Sequence, residues 1–133
     1  MKLEKVLETC LYCQDLDAAE AFYTDVLGLK IYSKVAGRHL FFKLAESMLL
    51  IFNPDKTMEA DQDVPPHGTY GEGHIAFAIR ENDIDRWREE LLAKNIAIEA
   101  EVTWPTGGLS LYFRDPANNS VELTSPKIWK FNE

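Results

Sequence analysis

Phe113-Arg114-Asp115-Pro116-Ala117-Asn118-Asn119-Ser120-Val121-Glu122-Leu123-Thr124 carries the reading that decides the fold. Leu109 to Arg114 and Ser120 to Thr124 are short β-prone runs. Asp115 to Asn119 between them is rich in Pro and Asn, which favour tight turns. The segment therefore predicts a β-hairpin. In the last strand Val121 and Leu123 alternate with Ser120, Glu122 and Thr124, so an apolar and a polar set point to opposite faces.

Working outward, the chain repeats itself. In the first half Arg38 to Leu44 and Met48 to Asn53 read as a hairpin across Ala45-Glu46-Ser47. The hairpins end alike, in Phe52-Asn53-Pro54 and Thr124-Ser125-Pro126. Before the first hairpin, Val6 to Cys13 reads as a strand. A helix with Ala19, Phe22, Tyr23, Val26 and Leu27 on one side follows, with Asp15 or Asp17 as cap and Gly28 as stop. Leu29 to Ser33 then reads extended. Before the second hairpin come a strand at Gly73 to Ile79, a helix capped by Asp83 with Ile84, Trp87, Leu91 and Leu92 at helical spacing, a stop at Asn95, and an extended run Ile96 to Ile98. Strand phase places Glu8, Leu50, His74 and Glu122 at matching positions on the face turned away from the helices.

The predicted fold class is thus α+β: two βαβββ modules forming a cupped mixed sheet with helices on the outer face. One domain spans 1–133, with module one at about 1–54, a linker at about 55–72, module two at about 73–126 and a tail at 127–133. Pro65-Pro66 and two glycines mark the linker.

A net charge of −8 and the absence of a basic stripe with interleaved aromatics argue against nucleic acid as a partner. No apolar run approaches the roughly 20 residues of a membrane span, and the start lacks an apolar signal region. A cytoplasmic location is the expectation. Cys10 and Cys13 face opposite ways on a strand and lack a second pair, so both are read as small apolar residues rather than a zinc or redox motif. His39 and His67 match no ligand position and are read as surface residues.

Three motifs resemble the vicinal oxygen chelate superfamily, which includes glyoxalases, bleomycin-resistance proteins and extradiol dioxygenases. They are Asp15-Leu16-Asp17 with Ala21-Phe22-Tyr23-Thr24-Asp25-Val26-Leu27-Gly28-Leu29, then Gly73-His74-Ile75-Ala76-Phe77, then Phe113 to Leu123. The last resembles D-P-x-G-N-x-x-E-L, with Asn118 where the family usually has Gly. Asn tolerates the left-handed conformation, so the turn survives the change.

The resemblance implies a metal site of one ligand per inner strand, at Glu8, His74 and Glu122, with Leu50 unable to serve. It implies a divalent ion (Mn, Ni, Zn, Fe or Mg). It also implies a lyase, isomerase or transferase of glyoxalase type, comparable to lactoylglutathione lyase, acting on a small oxygen-rich metabolite. Glu122 or Glu8 would then move the proton as the catalytic carboxylate. Tyr12, Phe41, Leu50, Phe52, Trp104 and Tyr112 are the candidate substrate contacts. Having one His rather than two ranks dioxygenase chemistry lower. The alternative implied by the resemblance is a bleomycin-resistance-type protein that sequesters a cationic small molecule with no metal and no chemistry. A homodimer is expected from the same resemblance, with Trp129 and Phe131 as apolar contact residues.

Overall fold

The computed structural model describes residues 1–60 and 63–133; Asp61 and Gln62 of the expected linker lie outside the described residues. The chain divides into two units, Met1–Gly71 and Glu72–Glu133. Each holds one mixed four-stranded sheet, which makes the fold α+β.

In the first unit the strands are β1 (Glu8–Tyr12), β2 (Ile31–Val35), β3 (His39–Lys43) and β4 (Met48–Phe52). Their spatial order is β1-β4-β3-β2, with β1 parallel to β4 and the other pairs antiparallel. Helix α1 (Leu16–Ala21) starts where the Asp15 carboxylate accepts from the Ala18 amide at 3.0 Å, satisfying one of the orphan donors of a helix start. The sequence implied a regular helix as far as Leu27. Instead the chain widens into a π-helical turn at Phe22–Val26, and both Phe22 and Tyr23 are buried there. The Tyr23 ring lies 5.7 Å from that of Phe42. The helix side of the sheet is therefore the face of Leu11, Leu40, Phe42, Leu49 and Ile51, all buried. Gly28 stops the helix at φ +70°, a conformation that costs glycine little.

The second unit repeats the plan with β5 (His74–Ala78), β6 (Ala100–Thr103), β7 (Leu109–Arg114) and β8 (Ser120–Thr124), in the order β5-β8-β7-β6. Here β5 is parallel to β8. The apolar face holds Leu111, Phe113, Val121 and Leu123, together with Leu91 of helix α3 (Ile84–Ala93), all buried. Two local expectations change. Asp83 makes no capping bond, because its carboxylate accepts from Arg80 Nε at 2.9 Å. The fourth strand lies at Ala100–Thr103 rather than Ile96–Ile98. The Glu99 amide already bonds the Tyr112 carbonyl at 2.8 Å, so pairing with β7 begins later than the apolar triplet suggested.

The matching ends of the hairpins have one cause. Asn53 accepts from the Asp55 amide at 3.0 Å and opens a short helix α2 (Pro54–Thr57). Ser125 accepts from the Lys127 amide at 3.3 Å and opens a 3-10 turn (Pro126–Trp129). In each, Pro sits where its missing N–H is not needed. Trp129 and Phe131 are exposed.

The β7–β8 turn is built around a buried carboxylate. Asp115 Oδ1 accepts from the Ala117 and Asn119 amides, both at 2.9 Å, and Oδ2 from the Asn119 side-chain amide at 2.9 Å. Asn119 Oδ1 in turn accepts from the Gly73 amide at 2.7 Å, which ties the turn to the start of β5. Asn118 takes φ +65°, the left-handed conformation the turn requires. Replacing Asp115 by Ala leaves several buried donors without acceptors. The expected loss is on the order of 3 kcal/mol of unfolding free energy, read by urea denaturation, with Asp115→Asn losing less. An Ala variant within the error of wild type would contradict this role.

Candidate functional site

Strand register decides which side chains share the face opposite the helices. In the second unit His74 pairs with Ser120, Ala76 with Glu122 and Ala78 with Thr124 across β5 and β8. Across β7 and β8, Tyr112 pairs with Glu122 and Ser110 with Thr124. This face therefore carries His74, Ser110, Tyr112, Glu122 and Thr124. Two of the three expected ligands, His74 and Glu122, come together here: Nε2 of one lies 3.3 Å from Oε2 of the other. Glu122 is buried while the His74 side chain is half-exposed, so the pair has one dry and one accessible member.

The hydrogen-bond pattern restricts what this pair can be. His74 Nδ1 lies 3.0 Å from the Ser120 carbonyl, which can only accept, so Nδ1 carries a proton. Nε2 then bears either a second proton or a lone pair. The first makes an ion pair with Glu122. The second turns two lone-pair donors toward one point, where a proton on the carboxyl or a cation between them relieves the repulsion. Two ligands bound at about 2.0–2.2 Å to one divalent ion stand about 2.8–3.6 Å apart at octahedral to tetrahedral angles. The observed separation fits that bite. The carbonyl behind Nδ1 is also the usual arrangement behind a metal-bound imidazole. The donor set thus fits a divalent ion as a two-residue hemisphere. Among the described residues no third His, Cys, Asp or Glu of this unit completes a three-residue group.

Glu122 is held from behind by a network that sequence reasoning missed. Ser110 Oγ lies 2.5 Å from Glu122 Oε1 and 2.8 Å from Thr124 Oγ1, and Trp104 Nε1 donates to Ser110 Oγ at 2.8 Å. Ser110 is buried, so its one proton goes to the carboxylate while it accepts from the indole. The polar alternation Ser110, Tyr112, Arg114 on β7 was the available signal. Trp104 thus touches Ser110 by its indole N–H. Its backbone closes a tight turn with Gly107 and Gly108, through Gly107 N–H to Trp104 C=O and Trp104 N–H to Gly108 C=O, both 3.0 Å. The Tyr112 ring stacks near His74 at 6.3 Å between centroids. Burial, then the charge of Glu122, raises the Tyr112 hydroxyl pKa, so it stays a phenol.

In the first unit the same face carries Glu8, Cys10 and Tyr12 on β1, Met48, Leu50 and Phe52 on β4, and His39, Phe41 and Lys43 on β3. Glu8 is exposed. Leu50 takes the place that Glu122 has in the second unit and is equally buried. Tyr12, Phe41 and Phe52 share one aromatic cluster: Phe41 and Phe52 meet edge to face at 5.4 Å, and Tyr12 and Phe52 lie 6.4 Å apart. Neither Cys10 nor Cys13 forms a disulfide, and Cys13 Sγ donates to the Asp15 carbonyl at 3.2 Å. Partial desolvation, then Glu8, pushes the Cys10 thiol up, which keeps it protonated and unreactive.

The two remaining histidines differ from their expected surface role. His39 is buried, stacked on Phe41 at 3.9 Å and 11°. His67 is half-buried, with Nδ1 2.7 Å from the Tyr12 hydroxyl. Neither lay on an expected ligand strand position. The missed signal in His39-Leu40-Phe41-Phe42 is alternation, which puts His39 and Phe41 on one face.

Known proteins are similar to this chain throughout. A lactoylglutathione lyase from Agrobacterium tumefaciens is 43% identical, covering 98% of this chain and 100% of its own, with a TM-score of 0.95. A glyoxalase/bleomycin resistance protein/dioxygenase from Nocardioides shares the fold at 23% identity and TM-score 0.74, covering 94% of this chain and 85% of its own. A metallothiol transferase FosB from Lysinibacillus sphaericus is 26% identical over 125 residues, 92% of this chain and 83% of that protein. No helix among the described residues is long and apolar enough to cross a membrane. The family model matching residues 5–123, together with the paired βαβββ sheets, makes this chain a member of the Glyoxalase/Bleomycin resistance protein/Dioxygenase superfamily.

Proposed function

We propose that this protein is a metal-dependent enzyme of glyoxalase type, a lyase, isomerase or transferase acting on a small oxygen-rich metabolite. The observation that carries the reading is the His74 Nε2 to Glu122 Oε2 separation of 3.3 Å with Nδ1 committed to the Ser120 carbonyl. The names of two relatives, a lactoylglutathione lyase and a metallothiol transferase, support the same class.

In this reading His74 and Glu122 would hold a divalent ion (Mn, Ni, Zn, Fe or Mg), with water or substrate filling its other positions. Bound there, the ion would polarise adjacent oxygens of the substrate and stabilise the negative charge that develops on them. Ser110 holds Oε1 of Glu122, so Oε2 keeps a fixed direction beside His74. Glu122, the carboxylate of this face, would move the substrate proton. Tyr112 and Trp104 would flank this chemistry on the same sheet. The acting species is a homodimer. A second reading, sequestration without chemistry, is favoured only by Leu50, which puts a hydrocarbon where the sister strand has its carboxylate.

Thermal melting tests the metal. An ion that binds only the folded chain stabilises it by about 2.7 kcal/mol at a hundredfold excess over its Kd, so manganese, nickel or zinc is expected to raise Tm by several degrees. The gain shrinks as pH falls, because protons compete for the imidazole and the carboxylates. His74→Ala removes most of it. No shift with any of the ions, and no heat of binding on titration, would leave sequestration as the function.

Ser110→Ala tests the supporting network separately. It leaves both ligands in place but frees Oε1 of Glu122. Metal affinity measured by calorimetry is expected to fall about 10-fold or more. Unchanged affinity would mean that Ser110 does not position the carboxylate.

A further inference from the structure

We infer that Trp104 is a positioning residue for the Glu122 carboxylate, acting through Ser110 rather than by touching a substrate. The inference deepens the proposed function by naming what aims a carboxylate of that site. Its consequence for a bound ion rests on that reading, while the relay of hydrogen bonds does not.

Proton counting on Ser110 sets the direction of the relay. Ser110 is fully buried, and its Oγ lies 2.5 Å from Glu122 Oε1, 2.8 Å from Thr124 Oγ1 and 2.8 Å from Trp104 Nε1. A hydroxyl has one proton and two lone pairs. The Thr124 hydroxyl, and that of Tyr112, which also faces Ser110 and Glu122, can each donate or accept. The indole N–H can only donate. It therefore holds one lone pair of Ser110 toward itself and closes that direction to the Ser110 proton. Glu122 Oε1, at the shortest of the three distances, receives the proton. Donation into Ser110 also strengthens the bond that Ser110 makes, by roughly 10–30% in condensed phases.

The indole is itself held by its loop. Trp104 follows the last residue of β6, and two backbone bonds of 3.0 Å tie it to Gly107 and Gly108. Gly108 is buried at φ +86°, and a Cβ there would stand 3.0 Å from Ile128 Cγ2 and 3.5 Å from Ser125 Cβ. Thr106 Oγ1 donates to the Ile128 carbonyl at 3.1 Å. The loop thus rests on the Pro126–Trp129 turn, which opens at Ser125, the residue after the end of β8. The donor is anchored through this turn to the same strand that carries Glu122, so little freedom is lost when its bond forms. A ring that merely filled space would serve as well without its N–H.

The nitrogen and proton signals of the Trp104 indole are read first, in the full chain with a chelator present, and are assigned by elimination with Trp87→Phe and Trp129→Phe. Glu122→Gln keeps the shape of the far end of the relay and removes its charge. It is expected to move the Trp104 signal, and to move it far less when Ser110→Ala is also present. Affinity for manganese, nickel or zinc is then measured by calorimetry without chelator. Trp104→Phe is expected to weaken binding on the order of threefold or more, and to add nothing further in the Ser110→Ala chain. A Trp104 signal that ignores Glu122→Gln, or that moves equally with and without Ser110→Ala, overturns the inference. So does a Trp104→Phe chain with wild-type affinity, or a loss that adds to that of Ser110→Ala. The indole readings retain Trp104, so poor folding of Trp104→Phe does not remove the test. Failure of the metal reading would appear as a wild type that binds none of the ions, and the indole readings then decide the inference by themselves.

Discussion

The buried Asp115 carboxylate sets the geometry from which the site follows. It satisfies two turn amides and orients Asn119, whose own oxygen grips the Gly73 amide. That chain of bonds fixes β8 against β7 and against the start of β5 at once. Because strand side chains alternate, a slip of one residue in either pairing would turn Glu122 or His74 to the helix side. The motif that looks like a family signature is thus a register lock. The two side chains it aligns, His74 and Glu122, lie one residue beyond Gly73 and three beyond Asn119.

The two units use one plan for different chemistry. Glu122 and Leu50 hold equivalent places, as do Ser110 and His39, and Tyr112 and Phe41. In the second unit these positions make a carboxylate, its hydrogen-bond donor and a phenol. In the first they make a hydrocarbon, a neutral imidazole and a phenyl ring. The same scaffold occurs twice, with a polar face around Glu122 in one copy and an apolar, aromatic face around Leu50 in the other.

Much of this was legible in the amino acids. Alternation in Ser120 to Thr124 put Glu122 on the face opposite the helices, and the same argument put His74 beside it. β7 and β8 have the expected bounds, because Pro116 and Asn118 leave the turn little freedom. The fourth strand was not legible, since Ile96-Ala97-Ile98 has strand composition but reaches β7 only after Glu99 has bonded Tyr112. Ser110 and His39 were missed for a shared reason. Each bonds a neighbour on the adjacent strand or one residue away, Glu122 in one case and Arg38 in the other. A lone Ser or His in a strand does not announce such a partner.

The central claim is that His74 and Glu122 share a divalent ion. Metal analysis of protein purified without chelator, for wild type and for His74→Ala, tests it most directly. The account predicts close to one bound divalent ion per chain in the wild type and little in the variant. Wild-type protein free of metal, and unable to take it up on dialysis against manganese, nickel or zinc, would contradict it.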